Sequence, residues 1–476
     1  MNNYNKSIRK SQSGTETVKP HRLLFHGRLS IEEGGIERVT DEERQQNTTK
    51  FWHAATFWFS ANMAVATLNI GSLGGSLGVP FWDCVIVILI VNITSNLLPA
   101  WTSVFGLTGL RMTTFSRYSF GYWGNMLVVI FSMIATTGWN AINSISGAAV
   151  LHALSGGRFP IWAGVIVICV TVWVICVLGI NWIHRVDTFI WIPPLIVWCV
   201  AAGTGASHLT GEDHVRLQGS EKAAAILTFM ALIFSFSISW VNCAADYNVR
   251  MPKDTPRWQI FGATYVGILV PTVLVQTLGA ALYTGTITNA AWKEAYAASS
   301  IGGLLKMALE PVGGFGKFLM FLAALSSIPN LGPWAMRIPR VAMVTFGFIA
   351  AIIIGCCAAK YFSDTLQTLL SVIGYWTVIH ITLVMEEHFI FRRGWNGYDF
   401  DAWNSTANLP FGWAAIGAFA FGFLGAALGM KTAWYSGPVA SLIGRQGSNI
   451  GHELTFAFSG AIFPFLRWIE KHYGGR

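Results

Sequence analysis

Twelve apolar runs, each close to a bilayer's width, constrain this chain more than any motif in it. With soft edges they cover 57–79, 81–101, 126–152, 160–180, 188–207, 223–246, 260–284, 315–336, 341–359, 366–385, 411–430 and 453–469. A helix needs roughly 20 apolar residues to cross the hydrocarbon core. In that medium every backbone N–H and C=O must be satisfied within the segment, so helices are the natural spanning element. The composition agrees. Of 476 residues, 53% are hydrophobic and 11% charged, against about 25% charged in soluble domains. The sequence predicts an all-α integral membrane protein of about twelve transmembrane helices over residues 51–476. Residues 1–50 are polar and mixed in charge, and are read as a flexible cytoplasmic tail without a cleavable signal peptide.

Several function classes are excluded. The net charge of +8 could suit nucleic acid, but the basic residues are scattered singly between apolar runs and draw no cationic face. Cys84, Cys169, Cys176, Cys199, Cys243, Cys356 and Cys357 lie in or beside apolar runs without ligand spacing. They read as small apolar fillers, and neither a metal nor another cofactor is expected. No phosphate-cradling Gly-Lys-Ser/Thr loop and no Ser nucleophile elbow is present, so the sequence does not read as an enzyme.

Twelve spans put both termini on one side. With that side cytoplasmic, Arg111, Arg117, Arg185, Arg250, Lys253, Arg257, Arg337, Arg340, Arg392 and Arg393 lie in short inner loops against helix ends. Basic residues there set orientation most strongly. The basic N-terminal segment points the same way.

Polar residues inside the apolar runs carry the functional signal. In GWNAINS (138–144), Trp139 and Asn143 are four apart and share a helix face. An indole beside a carboxamide suits a ligand that is flat, apolar on its faces and hydrogen-bonding at its edges, as a nucleobase is. Stacking is worth roughly 1–3 kcal/mol per base, and the amide offers both donor and acceptor. The same pair also suits bundle packing, with the Asn hydrogen-bonded across helices. In SFSISW (235–240), three Ser precede Trp240, which could cover a ligand's other face or simply pack. Hydroxyls there could satisfy backbone freed by local unwinding. NIGSLGGSLGVP (69–80) holds Gly and Pro enough for a broken helix exposing backbone near Asn69, Gly71 and Ser72, or for close helix crossing. Asp83, Asp246, Glu386, Glu387 and His388 fall at span ends and read as interfacial charges.

Six stretches extend this reading. SRYSFGYWG (116–124), GWNAINS (138–144), SWVNCAADYNV (239–249), LGPWAMRIPR (331–340), GYWTVIHITLVMEEHFIFRRG (374–394) and GSNIGHELTFAFS (447–459), in that order, resemble the fungal purine–cytosine permeases. These are a branch of the nucleobase:cation symporter-1 family. The resemblance runs from about Phe57 to the C-terminus. It implies a LeuT-type five-plus-five inverted repeat with two extra C-terminal helices. It implies secondary active uptake of purine bases and cytosine at the plasma membrane, with a nucleobase and a coupling proton as partners. The family's site takes an aromatic and an Asn from the third helix, a Trp from the sixth and an Asn from the eighth. Those positions are Trp139, Asn143, Trp240 and Asn330 here.

The eighth run departs from the family's pattern. In LSSIPNLGPW (325–334) the IPN runs straight into LGPW, where relatives carry a further helical segment of about a dozen residues, roughly three turns. Asn330 then lies seven residues before Arg337, or roughly 10 Å along a helix. The midplane lies about 15 Å from either edge, so Asn330 falls short of it on the cytoplasmic side. A protein that binds nucleobases without transporting them, or an inactive paralogue, is the alternative this shortening motivates.

Overall fold

The computed structural model describes residues 36–178, 191–211, 217–326 and 340–474. A helix or helix pair occupies eleven of the predicted runs, and a helix covers the start of the eighth (315–336), whose residues 327–336 lie outside the described residues. The first is split into α1 (Trp52–Asn62) and α2 (Val65–Ser76), and the second into α3 (Phe81–Ser95) and α4 (Leu97–Ser103). The third is α5 (Arg117–Leu154), followed by α6 (Ile161–Leu178), α7 (Ile192–Gly205) and α8 (Gly219–Ile238). Then come α9 (Arg257–Thr288), α10 (Gly313–Leu325), α11 (Arg340–Ala358), α12 (Phe362–Glu386), α13 (Trp413–Gly429) and α14 (Gly451–Gly474). Among the described residues, six helical stretches are long and apolar enough to cross a membrane by themselves. The others are shorter, interrupted or, as in α14, carry charges.

Packing in lipid is not driven by exclusion of water. It rests on van der Waals fit and interhelical hydrogen bonds. The glycines of α2 serve the first. A Cβ at Gly71 would lie 1.9 Å from the Gln276 carbonyl oxygen, and one at Gly279 of α9 would lie 1.9 Å from that of Leu68. The two backbones touch. The glycine-rich stretch is therefore helical packing, and Asn69, Gly71 and Ser72 sit within continuous helix rather than at a break. A buried polar chain supplies the second. Asn92 Nδ2 of α3 donates to Gln276 Oε1 of α9, and Ser237 Oγ of α8 donates to Asn92 Oδ1.

Two further interactions fix the C-terminal part. Glu387, buried beyond the end of α12, accepts from Arg467 of α14 and from Arg392. Glu470 pairs with Arg467 and also accepts the Gly412 N–H at the start of α13. At the other side of that loop, Gly121 breaks α5 with φ 69° and ψ 179°. A Cβ there would meet the Pro410 carbonyl oxygen at 2.3 Å, so only glycine fits.

The expectation of a flexible segment up to residue 50 fails for residues 36–50. A short helix, Asp41–Gln45, is capped by Thr40 Oγ1. Arg38 pairs with Asp401, Asp41 with Lys253, and buried Arg44 donates to the Met251 carbonyl. Charges that read as solvated are complementary to the loops they cover. A second difference lies between α9 and α10, where an outer loop was expected. Helices Ala290–Ser299 and Ile301–Leu309 fold back there, burying Leu304, Leu305 and Leu309.

Candidate substrate cavity

The first and sixth spans are both interrupted at the same place in the bundle. After α1, Met63 (φ −81°, ψ 35°) and extended Ala64 (φ −101°, ψ 157°) separate it from α2. After α8 the chain tightens into a 3-10 turn, Ser239–Asn242, breaks at Cys243, and makes a second turn, Ala244–Tyr247. Helix ends leave N–H and C=O groups without intrahelical partners. Here those ends border a cavity. Ala61, Ala64 and Thr67 line it from the first span, and Ser132, Thr136, Trp139 and Asn143 from α5. Phe236, Trp240, Asn242, Asp246 and Tyr247 line it from the sixth span.

Three of the four predicted site residues therefore line one cavity. Trp139 packs edge-to-face on Phe236, with centroids 5.6 Å apart. Trp240 packs edge-to-face on Trp58 at 5.2 Å, and its Nε1 donates to Asn62 Oδ1 over 3.2 Å. Asn62 Nδ2 in turn donates to the Trp58 carbonyl, which fixes the amide. The two indoles are not in ring contact with one another, and both are part-exposed. Asn143 is 4% exposed and makes no side-chain hydrogen bond to any described residue. Ser132 Oγ on the same face of α5 is also without a partner among the described residues. The fourth, Asn330, lies outside the described residues.

Sequence reasoning missed the acid. Asp246 was expected at the membrane interface, yet it lines the cavity, with Oδ1 accepting the Met112 N–H over 2.7 Å. The displacement follows from the unwinding, because the chain from Ser239 to Tyr247 is not one continuous α-helix. The signal available was the spacing of Asn242 and Asp246, four apart in a stretch without apolar periodicity. Asn242 is itself held from behind. Its Oδ1 contacts His380 Nδ1 at 2.8 Å and its Nδ2 donates to Thr377 Oγ1, while His380 Nε2 lies 2.6 Å from Ser116 Oγ. Of the three Ser before Trp240, only Ser239 bonds a backbone carbonyl, that of Phe236. Ser235 contacts His452 instead. Among the described residues no cluster of His, Cys, Asp and Glu could hold a metal ion.

Residues 38–449 match the family described as permeases for cytosine/purines, uracil, thiamine and allantoin. The chain belongs to this family. It is a multi-pass membrane permease and not an enzyme. It is 33% identical to the purine-cytosine permease fcyB of Emericella nidulans, covering 94% of this chain and 90% of that one. It is 34% identical to the purine-cytosine permease FCY2 of Saccharomyces cerevisiae, covering 95% and 88%. Among solved structures, the fold matches Mhp1, a nucleobase-cation-symport-1 family transporter with bromovinylhydantoin bound. The TM-score is 0.61 at 16% identity, covering 89% of this chain and 93% of the other. The arrangement is thus the expected inverted-repeat transporter fold with two added C-terminal helices.

Proposed function

We propose that this permease takes up purine bases and cytosine across the plasma membrane in symport with protons, with both termini cytoplasmic. The observation that carries the proposal is the meeting of Trp139, Asn143 and Trp240 on one cavity between two interrupted spans. A base stacks on the indoles, and Asn143 bonds its edge. Asn330 of the eighth span assists. The similarity to purine–cytosine permeases supports the substrate class.

Asp246 is the proposed proton carrier. It is the carboxylate on the cavity wall, and the Met112 N–H engages only one of its oxygens. Neutralising it removes a buried charge from the unwound segment, so proton and base favour the same packing of that segment. A ligand shifts such an equilibrium only by its differential affinity for the two states. Alternating access is then rocking of one helix bundle against the rest.

The test is uptake of radiolabelled cytosine and adenine by fungal cells lacking their own nucleobase permeases. Saturable accumulation should fall as external pH rises. Asp246→Asn should bind base yet equilibrate it without accumulation. Saturable binding with no accumulation by the unaltered protein would replace this reading with the non-transporting alternative that the shortened eighth run motivates.

A further inference from the structure

A second pocket lies at the periphery of the bundle where α5 begins, away from the substrate cavity. Arg117, Tyr122, Trp123, Asn125, Met126 and Val129 line it. Arg117 is 9% exposed and forms no ion pair among the described residues. Its Nη1 donates to Asn404 Oδ1, its face lies against Tyr122 and Trp403, and its Nε has no partner among them. A guanidinium so desolvated without a counter-charge is costly.

Two more features converge there. The break at Gly121 makes residues 122–125 the first turn of the long part of α5. Such a turn presents N–H groups and the positive end of the helix dipole. Asn125, 4% exposed, donates through Nδ2 to the Thr113 carbonyl, which leaves its buried Oδ1 as an acceptor without a partner. The pocket therefore asks for an anion that also carries a hydrogen-bond donor. Its outer wall is apolar and faces lipid, with Trp123 70% exposed and Met126 and Ile130 also outward.

We infer that this pocket binds the headgroup of an anionic phospholipid whose headgroup carries a donor, as phosphatidylserine does. The phosphate sits between Arg117 and the first turn of α5, the ammonium reaches Asn125 Oδ1, and the acyl chains lie along Trp123, Met126 and Ile130. Free phosphate satisfies the cation but neither the amide nor the apolar wall.

The experiment uses full-length protein in detergent, titrated with short-chain phosphatidylserine, short-chain phosphatidylcholine or inorganic phosphate. Native mass spectrometry and thermal unfolding are the readouts. Phosphatidylserine should bind one to one and raise the unfolding temperature more than phosphatidylcholine. Arg117→Gln, which can still donate to Asn404, should weaken phosphatidylserine roughly tenfold to a hundredfold. That removes its margin over phosphatidylcholine, whose trimethylammonium has no N–H for Asn125 and which does not seat its phosphate in the pocket. If that variant does not fold, Arg117→Lys keeps the charge and should keep the preference. Equal binding of the two lipids, an unaltered preference in Arg117→Gln, a lost preference in folded Arg117→Lys, or phosphate displacing phosphatidylserine at equal concentration would each overturn the assignment.

Discussion

Replacing Asn143 by Ala separates the two roles its position allows. A carboxamide cross-linking helices would lower stability when removed. In this structure Asn143 is 4% exposed, lines the cavity and bonds no described side chain or carbonyl. Its truncation therefore deprives the scaffold of no hydrogen bond seen here, and the unfolding temperature should hold. Base binding should not. An amide engaging a base edge through two bonds is worth roughly 1–3 kcal/mol. Taking about 2 kcal/mol, with about 1.4 kcal/mol per tenfold, gives a Kd raised roughly 30-fold. The assay is equilibrium binding of radiolabelled cytosine and adenine to purified protein, with unfolding temperature and surface abundance measured beside it. A Kd within about twofold of the original removes Asn143 from the site. An unchanged Kd with a lowered unfolding temperature shows the helix-bridging role instead.

Trp240→Ala should weaken purines and cytosine alike, by about tenfold or more, because stacking tolerates base identity; competition binding with each base checks this, and an effect on one class alone refutes stacking. Gly71→Ala drives a methyl into the Gln276 carbonyl, with 1.9 Å between them before relaxation. It should cost at least about 1–3 kcal/mol of stability. Gly347→Ala, with nothing within 4 Å, is the control, and both are read by thermal unfolding in detergent. Glu387→Gln leaves Arg467 without its closest counter-charge. Arg467 keeps Glu470 at 3.0 Å, so the loss is that of the charge-assisted bonds to Glu387, about 1.5–3 kcal/mol. Surface abundance and thermal midpoint should both drop while any protein that folds still binds base.

Much of the architecture was legible because the bilayer sets a length scale. Eleven runs became helices or helix pairs in the same order, and so did the described start of the eighth. What the sequence did not disclose depends on partners distant in the chain. Arg38, Asp41 and Arg44 are unremarkable in a polar segment until Asp401, Lys253 and the Met251 carbonyl are brought beside them. The helical pair Ala290–Ser299 and Ile301–Leu309 was hidden for a related reason. Its apolar face is too short to be a span, yet it suffices to cover the end of α5, where a Cβ at Gly302 would meet the Ala149 carbonyl oxygen at 2.3 Å. At the site, residue type left Trp139, Asn143 and Trp240 open between a ligand and bundle packing; the resemblance to the permeases singled them out, and all three line one cavity. Asp246 was assigned to the end of the sixth run, and its place on the cavity depends on the two turns that follow α8.

The misplaced break in the first span has a physical explanation that also joins the two interrupted spans. Glycine and proline mark a break when the chain must take a conformation other residues avoid. Neither break requires one. Met63, Ala64 and Cys243 all have negative φ in regions open to ordinary residues. What such a break requires is compensation for the hydrogen bonds it forgoes, and side chains supply part of it. Asn62, the last residue of α1, bonds the Trp58 carbonyl on its own helix and the Trp240 indole N–H on the sixth span. One amide thus terminates the first helix and positions an aromatic plate on the second. The glycines of α2 answer a different demand, contact with the α9 backbone, which keeps that half of the first span helical up to the cavity. The first and sixth spans stand in equivalent positions of a five-plus-five repeat. Their coupling through Asn62 and Trp240 means that a rearrangement at one break is felt at the other.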